Sequence, residues 1–523
     1  MATNVEFAVS RIASVNPATG EVLGELDSAG PTEVRAAVAR ARAAQPDWNA
    51  WGIRNRVQVV HRFQQILLAH KAEIARRITQ EAGKPLVEAL VTEVLVVLDA
   101  ARFLIDNAFA LLHEEKLPHG NLAMKTKSGR ILHEPYGVVG IISPWNYPFS
   151  IPATEVMAAL VAGNAVVLKP SELTPLIALE LQVLMRDAGV PDGIFQVLPG
   201  EGPTGAALVA SEIDKLVFTG SVGTGRRIAQ IAAERLLPVV LELGGKDPML
   251  VLEDADVDVA SSGAVWGAFV NAGQTCLSVE RCYVHQSLYA AFLDACCEKA
   301  RKLRVGNGMD PATEIGPMIH ERQVRVVESQ LEDAKERGAH VLAGGTRLRD
   351  LGPTFFAPTV LADADHSMSV MQDETFGPVL PIAPFAGDAE AARLANDSSF
   401  GLAASVWTRD RARGERLARQ INAGTVMLND VVSCFSISEA PHGGVKASGI
   451  GRTHGRWGLE EMVRVKYVDS DMLPRMKKIW WFGYGGGFKG EMESFLDLLY
   501  AGALRERLKA GARAAGALWR RKL

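Results

Sequence analysis

The 523-residue chain reads as an α/β protein built on a parallel sheet, and two observations carry that reading. From Tyr136 onward, short apolar runs alternate with helical stretches, the spacing of βαβ units. The runs, such as Val138–Ile142, are continuously apolar, as strands covered on both faces are. Composition agrees: 48% hydrophobic and 22% charged residues describe an ordinary globular protein, not a collagen-like, disordered or disulfide-stapled one. At roughly 150 residues per domain, the length predicts about three domains, or two large ones with an appendage.

The elements follow in order. Residues 30–115 read as helix-rich: Pro31–Thr32–Glu33 start one helix. A second spans about 55–79, with Val59, Phe63, Ile66 and Leu67 on one face, and a third spans 86–109. Strands follow at Val138–Ile142, 165–168, 195–198, 216–218 and 239–241, separated by helices near 152–162, 175–188, 203–210 and 224–236. A second α/β stretch, 244–460, shows helices near 255–270, 286–303 and 320–337, with strands at 281–285, 380–384 and Thr425–Leu428. Parallel sheets bind ligands outside the C-terminal ends of their strands. Those ends carry WNYP, KPSE, PGEG, FTGS and ELGGK.

No uncharged apolar stretch reaches the roughly 18 residues that span a bilayer, and the N-terminus MATNVEFAVSRIASV has no basic flank before an apolar block. A cytoplasmic location is therefore expected. The five cysteines (Cys276, Cys282, Cys296, Cys297, Cys434) form no CxxC pair, and no HExxH occurs, so no metal site is predicted. A net charge of −4 argues against bulk attraction to nucleic acid.

Each candidate site residue has two readings. In LVFTGSVGTGRRIAQIAAERL (216–236), Ser221 caps a helix whose exposed N–H groups suit a phosphate, yet the turn reads GxxGxG, not GxGxxG. It is a cofactor turn or a plain strand–turn–helix. Lys169 and Glu172 can grip ribose hydroxyls or stand as solvated charges. Cys276 is a loop nucleophile or a small buried hydrophobe. Glu242, ending an apolar strand, is a general base or the partner of Lys246. Asn146, between Pro144 and Pro148, donates to an oxyanion or caps a turn.

Taken together, PWNYP (144–148), KPSE (169–172), FTGS (218–221), LELGGK (241–246), NAGQTC (271–276), ETFGPVL (374–380) and GGVKASGIGR (443–452) resemble the NAD(P)-dependent aldehyde dehydrogenase superfamily in the family's order, over about 14–470. The resemblance implies a Rossmann-type cofactor domain at 1–120 and 135–243, an α/β catalytic domain at 244–460 and an oligomerisation β-flap at 121–134 and 461–472. The tail at 473–523 lies beyond it. It implies Cys276 as nucleophile, Glu242 as general base, and Asn146 with the Cys276 N–H as oxyanion hole. Lys169 and Glu172 match the residues on the adenosine ribose, Gly220 and Ser221 the pyrophosphate contact, and Glu374 and Phe376 the nicotinamide side. Ile142 and Trp145 complete the cofactor site. The aldehyde tunnel is implied to run along Tyr147, Ile151, Thr154, Thr275, Leu277 and Phe435, none of them charged.

This reading expects oxidation of an apolar aliphatic or aromatic aldehyde to the acid through a cysteine thiohemiacetal and thioester. The alternatives are a semialdehyde or CoA-acylating enzyme, and a non-catalytic binding or structural protein on the same fold. Glu172 opposes a 2′-phosphate, so NAD is expected, with NADP as the alternative. The family forms homodimers and homotetramers. In the tail, 479–488 is an aromatic and glycine run, and 503–523 reads as an amphipathic helix with Leu504, Leu508, Ala512, Ala515 and Trp519 near one face. That helix carries seven basic residues and one acidic, a net of +6, leaving −10 on the rest of a −4 chain. It is expected either to contact an anionic membrane peripherally or to dock on protein.

Overall fold

The computed structural model describes residues 10–121, 124–478, 480–482 and 484–520, the last seven by backbone alone. It divides into two compact units, Met1–Leu112 with Glu134–Arg464, and His113–His133 with Val465–Leu523.

The first unit holds two sheets. In the six-stranded sheet the order is Gly449–Ile450, Val239–Glu242, Lys215–Thr219, Val138–Ile142, Ala165–Lys169, Phe195–Val197, all parallel except the first. The chain fills one side of Val138–Ile142 and then returns to fill the other. That reversal opens a crevice at the strands' C-terminal ends. Helices Pro31–Ala50, Gly52–Ala82, Ser150–Ala162 and Pro175–Asp187 cover this sheet and share its core. The helix predicted at 86–109 is Leu86–Leu112, broken by a π-helical turn at Ala89–Val94 that carries the buried Glu93.

The seven-stranded sheet runs His340–Ala343, Thr359–Ala362, Val379–Phe385, Val279–His285, Asp247–Val251, Ala403–Trp407, Thr425–Leu428, with only the first strand antiparallel. It has its own core. Strand Gly449–Ile450, from the second stretch, pairs back onto Leu241 and Glu242, so the chain crosses between the sheets twice.

In the second unit the sheet order is Val463–Asp471, Lys127–Pro135, Glu115–Leu117. A hairpin of helices Phe488–Tyr500 and Leu504–Arg520 follows. Gly511 faces Leu498 and Ala510 is buried, whereas Leu504 is 72% exposed and Leu508 67%. The predicted apolar stripe is thus open where described, and small residues make the helix–helix contact. Ile479, Gly483, Arg521 and Lys522 lie outside the described residues, as do 122–123 of the flap and the side chains of Ala515, Trp519 and Arg520. Among the described residues no helix is long and apolar enough to cross a membrane.

Candidate active site

Strand register builds the site. Ile142 stands level with Lys169 and Phe218, and Thr219 with Glu242, so the sheet's C-terminal ends form one edge. From Glu242 the chain passes through Leu243–Lys246 directly into the first strand of the other sheet. That sheet presents its strand starts to the same place: Cys276 precedes Val279–His285, and Glu374 and Phe376 precede Val379–Phe385. Between the two edges lies a cavity of about 810 Å³. Its walls include Ile142, Trp145, Asn146, Lys169, Glu172, Gly220, Ser221, Glu242, Cys276, Glu374 and Phe376. Every predicted catalytic and cofactor residue is in that set. Thr224, Arg227, His320, Arg322 and Gln323 also line it and were not read from the sequence.

The nucleophile loop is fastened by buried polar groups. After helix Val257–Phe269 the backbone kinks through left-handed Asn271 and Ala272, each at φ 54°. Asn271 N–H donates to Glu88 (3.0 Å), and its amide donates to the carbonyls of Asn146 (3.0 Å) and Gln274 (3.1 Å). Asn146 Nδ2 donates to the Gln274 carbonyl at 3.0 Å. Lys84 Nζ donates to the Asn146 carbonyl (2.8 Å) and to Glu93 (2.7 Å), whose other oxygen accepts the Phe149 and Ser150 N–H groups. Lys84 and Glu93, absent from the sequence reading, thus anchor the Asn146 turn, which Asn271 and the Asn146 amide tie to the Cys276 loop. Gly245 permits the approach of the strand end: a Cβ there would lie 2.3 Å from the Cys276 carbonyl oxygen.

Lys246 does not pair with Glu242. It pairs with Glu280 (2.6 Å), both buried, because Glu280 also accepts the N–H groups of Thr375 (2.8 Å) and Phe376 (3.1 Å). This pair holds Phe376 in a left-handed conformation (φ 50°), with Trp145 edge-on to its ring at 5.4 Å. Glu374 accepts the Gly245 N–H at 3.1 Å, and burial pushes its carboxyl up to about 8.

Glu242 is buried, and neither carboxylate oxygen has a hydrogen-bond partner among the described residues. Burial, then the nearby Glu155, push its pKa well above the carboxylate range. Cys276 is half-buried, and burial with the surrounding carboxylates raises its thiol likewise. Lys169 Nζ lies 3.3 Å from Glu172, and Ser221 Oγ caps helix Val222–Glu234.

Of the predicted tunnel residues, Ile151, Thr154 and Phe435 line a small cavity that meets the large one at Cys276 and Glu242. Tyr147 and Thr275 hydrogen-bond each other at 2.8 Å, and Leu277 clusters with Leu402 and Cys434; these three line neither cavity. The small cavity's walls also include Glu155, His442, Thr453 and His454, unread from the sequence. Glu155 adds an acidic group to a lining expected to carry no charge.

The profile of the aldehyde dehydrogenase family matches residues 5–468. The chain is 40% identical over 495 residues to a 4,4'-diapolycopene aldehyde oxidase of Methylomonas sp, covering 94% of this chain and 92% of that protein. It is 37% identical to a mitochondrial succinate-semialdehyde dehydrogenase of Oryza sativa subsp. japonica, over 87% of this chain and 85% of that protein. Its fold is similar to that of a Bacillus cereus aldehyde dehydrogenase in complex with NAD+, with TM-score 0.85 and 37% identity over 88% of this chain and 94% of that one. By sequence and fold alike, the chain belongs to the aldehyde dehydrogenase family.

Proposed function

We propose that this NAD(P)-dependent aldehyde dehydrogenase oxidises apolar aldehydes, aliphatic or aromatic, to carboxylic acids. One observation carries the reading: the implied tunnel positions beside Cys276 and Glu242, namely Tyr147, Ile151, Thr154, Thr275, Leu277 and Phe435, include no Arg or Lys to pair a substrate carboxylate. Cys276 is the nucleophile. Its thiol is protonated at rest, so Glu242 removes the proton as the Sγ–C bond forms. The Asn146 amide, fixed by its bond to Gln274, offers its other hydrogen to the oxyanion with the Cys276 N–H. Glu242 then takes a proton from the water that cleaves the thioester. An intact base at this position favours water over CoA as acceptor.

The large cavity fits a dinucleotide. Lys169 and Glu172 face it as a ribose grip, the helix start after Ser221 offers N–H groups to phosphate, and Gly244 leaves the space beside Glu374 that a Cβ would fill at 2.4 Å. NAD or NADP held by these residues would supply the hydride acceptor. We assign 1–120 and 135–243 to cofactor binding, 244–460 to catalysis, and the exposed edge strand Val463–Asp471 to homodimer or homotetramer pairing. Glu172 opposes a 2′-phosphate, whereas Arg227 and Arg322 favour one.

Steady-state kinetics on aldehydes of graded chain length, with both cofactors in parallel, test substrate and cofactor together. Hexanal and benzaldehyde are expected to exceed succinic semialdehyde in kcat/KM by about tenfold or more, as a carboxylate lacking a cationic partner implies. NAD is expected to exceed NADP, and Glu172→Gln to narrow the gap. A preference for succinic semialdehyde refutes the apolar reading. The relative named a 4,4'-diapolycopene aldehyde oxidase supports it, and a match covering 94% of the chain leaves too few residues outside to exclude 479–488.

The tail belongs to the same reading. Phe482 is 96% exposed, Trp481 and Tyr484 are exposed, and so are Leu504 and Leu508 on the helix that carries the basic Arg505, Arg507, Lys509 and Arg513. Exposed aromatics with a surplus of basic charge suit an anionic lipid surface. The full chain is expected to co-sediment with phosphatidylserine vesicles at low salt, and a chain truncated at Leu473 to stay in solution. Equal partition of the two overturns the membrane contact.

A further inference from the structure

The small cavity beside Glu242 measures about 20 Å³, room for about one water and too little for an aldehyde chain. Its polar walls are Thr154, Glu155, Thr219, Glu242, Cys276, His442, Thr453 and His454. Glu155 is buried inside helix Ser150–Ala162, has no cationic partner among the described residues, accepts from Thr219 Oγ1 at 3.2 Å, and leaves its second oxygen unpartnered there. His442 Nε2 stands 3.9 Å from Glu242, and the His442 and His454 rings are 5.8 Å apart with Phe435 against both. Glu155, Thr453 and His454 also line a second cavity of about 30 Å³, which reaches Ala100 and Phe103 of helix Leu95–Leu112. A buried carboxylate without a counter-ion is expensive to keep in a helix that could carry an apolar residue. A second acid bordering both cavities therefore calls for a use.

We propose that Glu155, with His442 and His454, forms the proton outlet of Glu242. The inference rests on the hydrolytic reading above. In each turnover Glu242 receives the thiol proton as the Sγ–C bond forms. It later receives a proton from water as the water oxygen bonds the thioester carbon and the C–Sγ bond breaks, returning the electron pair to sulfur, which then takes this second proton back from Glu242 to restore the thiol. Glu242 has one basic site to offer, so the first proton must leave before the second arrives. A water in the 20 Å³ space hands it to Glu155, and the second cavity carries it on. Burial raises Glu155 to about 8 and holds His442 near 3 and His454 near 4. The carboxyl can thus exchange a proton around neutral pH, while the imidazoles stay neutral and relay by changing tautomer. The other groups acting on the pair are Arg452, which lowers Glu242, and Glu461 and Cys276, the former raising it.

The test compares wild type, Glu155→Gln and His442→Phe with hexanal and NAD, reading the first-turnover NADH signal against steady-state turnover across pH. Both variants are expected to keep the first hydride transfer and to lose about tenfold in turnover. Glu155→Gln also removes a like charge, so the acid limb of its turnover profile moves to lower pH. His442→Phe removes no charge and leaves the limb in place. Unchanged turnover in both variants, or a loss confined to the first hydride transfer, overturns the outlet. An absent first-turnover signal in wild type would instead sink the dehydrogenase reading itself.

Discussion

Cys276→Ala is expected to lower kcat/KM for every aldehyde by at least about three orders of magnitude, leaving the fold and cofactor binding in place. The large effect follows from where the thiol stands. Asn146, Asn271, Gln274, Lys84 and Glu93, all buried, form one network with the half-buried Glu88 that holds its loop, and none of them is a nucleophile. Cys282, Cys296 and Cys297 belong to the core of the seven-stranded sheet, and burial raises their thiols. Cys434 is buried and pushed up to about 12, so no second thiol takes over. Cys276→Ser tests the chemistry apart from the shape, because a hydroxyl fills the same space but is a weaker nucleophile with a poorer leaving group. Its loss should approach that of alanine. Iodoacetamide labelling provides the pH arm. The Cys276 thiol lies above its usual value, so the thiolate gains population only as pH rises through that raised value. Labelling should climb above neutral pH in the wild type and fall to the level of the buried cysteines in the alanine variant. Substantial turnover in Cys276→Ala would remove the assigned role.

The strands that deliver the site were legible because their local chemistry is one-sided. Val138–Ile142 and Ala165–Lys169 are buried at every position, so an unbroken apolar run sufficed to find them. Ser221 was legible for a similar reason, since a helix cap is a local device. The hairpin Arg11–Val15 and Val22–Asp27 went unread because its residues are largely exposed and its apolar signal is thin. Asp247–Val251 was missed because it opens on Asp-Pro just after Gly244–Gly245–Lys246, which reads as loop. Its parallel pairing with Val279–His285 and Ala403–Trp407, and the Ala403 N–H bonded to the Asp247 carboxylate, reveal the buried strand. Helix Phe488–Tyr500 hid behind three glycines in the same way. The supporting shell of the site lay further from reach. Lys84 meets a carbonyl 62 residues away, and Lys246 meets Glu280, 34 away, instead of the nearer Glu242. Such pairings depend on which buried acid has backbone donors to share, a property of tertiary packing. Glu155 and the two histidines are isolated polar residues in unremarkable helices and turns. Their meeting at one cavity is visible only after folding.

Glu242→Gln separates the two halves of the reaction. The amide keeps the shape and much of the polarity of the carboxyl but cannot take a proton from water. Above the raised thiol pKa, where Cys276 ionises without help, the variant should transfer about one hydride per site and then stall as the thioester. Steady-state turnover should fall by roughly 10²–10⁴, the range of a lost general base. Mass spectrometry of the stalled protein should find the acyl group on the peptide containing Cys276. The pH dependence has a definite sign. Burial and Glu155 raise the Glu242 pKa, and its basic form appears only as pH rises through that value, so wild-type turnover declines as pH falls. Removing the carboxyl removes that limb. It also removes one of the carboxylates that hold the Cys276 thiol high, so labelling of the variant should begin at lower pH than in the wild type. The two shifts come from one substitution and have different readouts. A variant that turned over at the wild-type rate would take the base role from Glu242, and a stalled acyl group on any other residue would take the nucleophile role from Cys276.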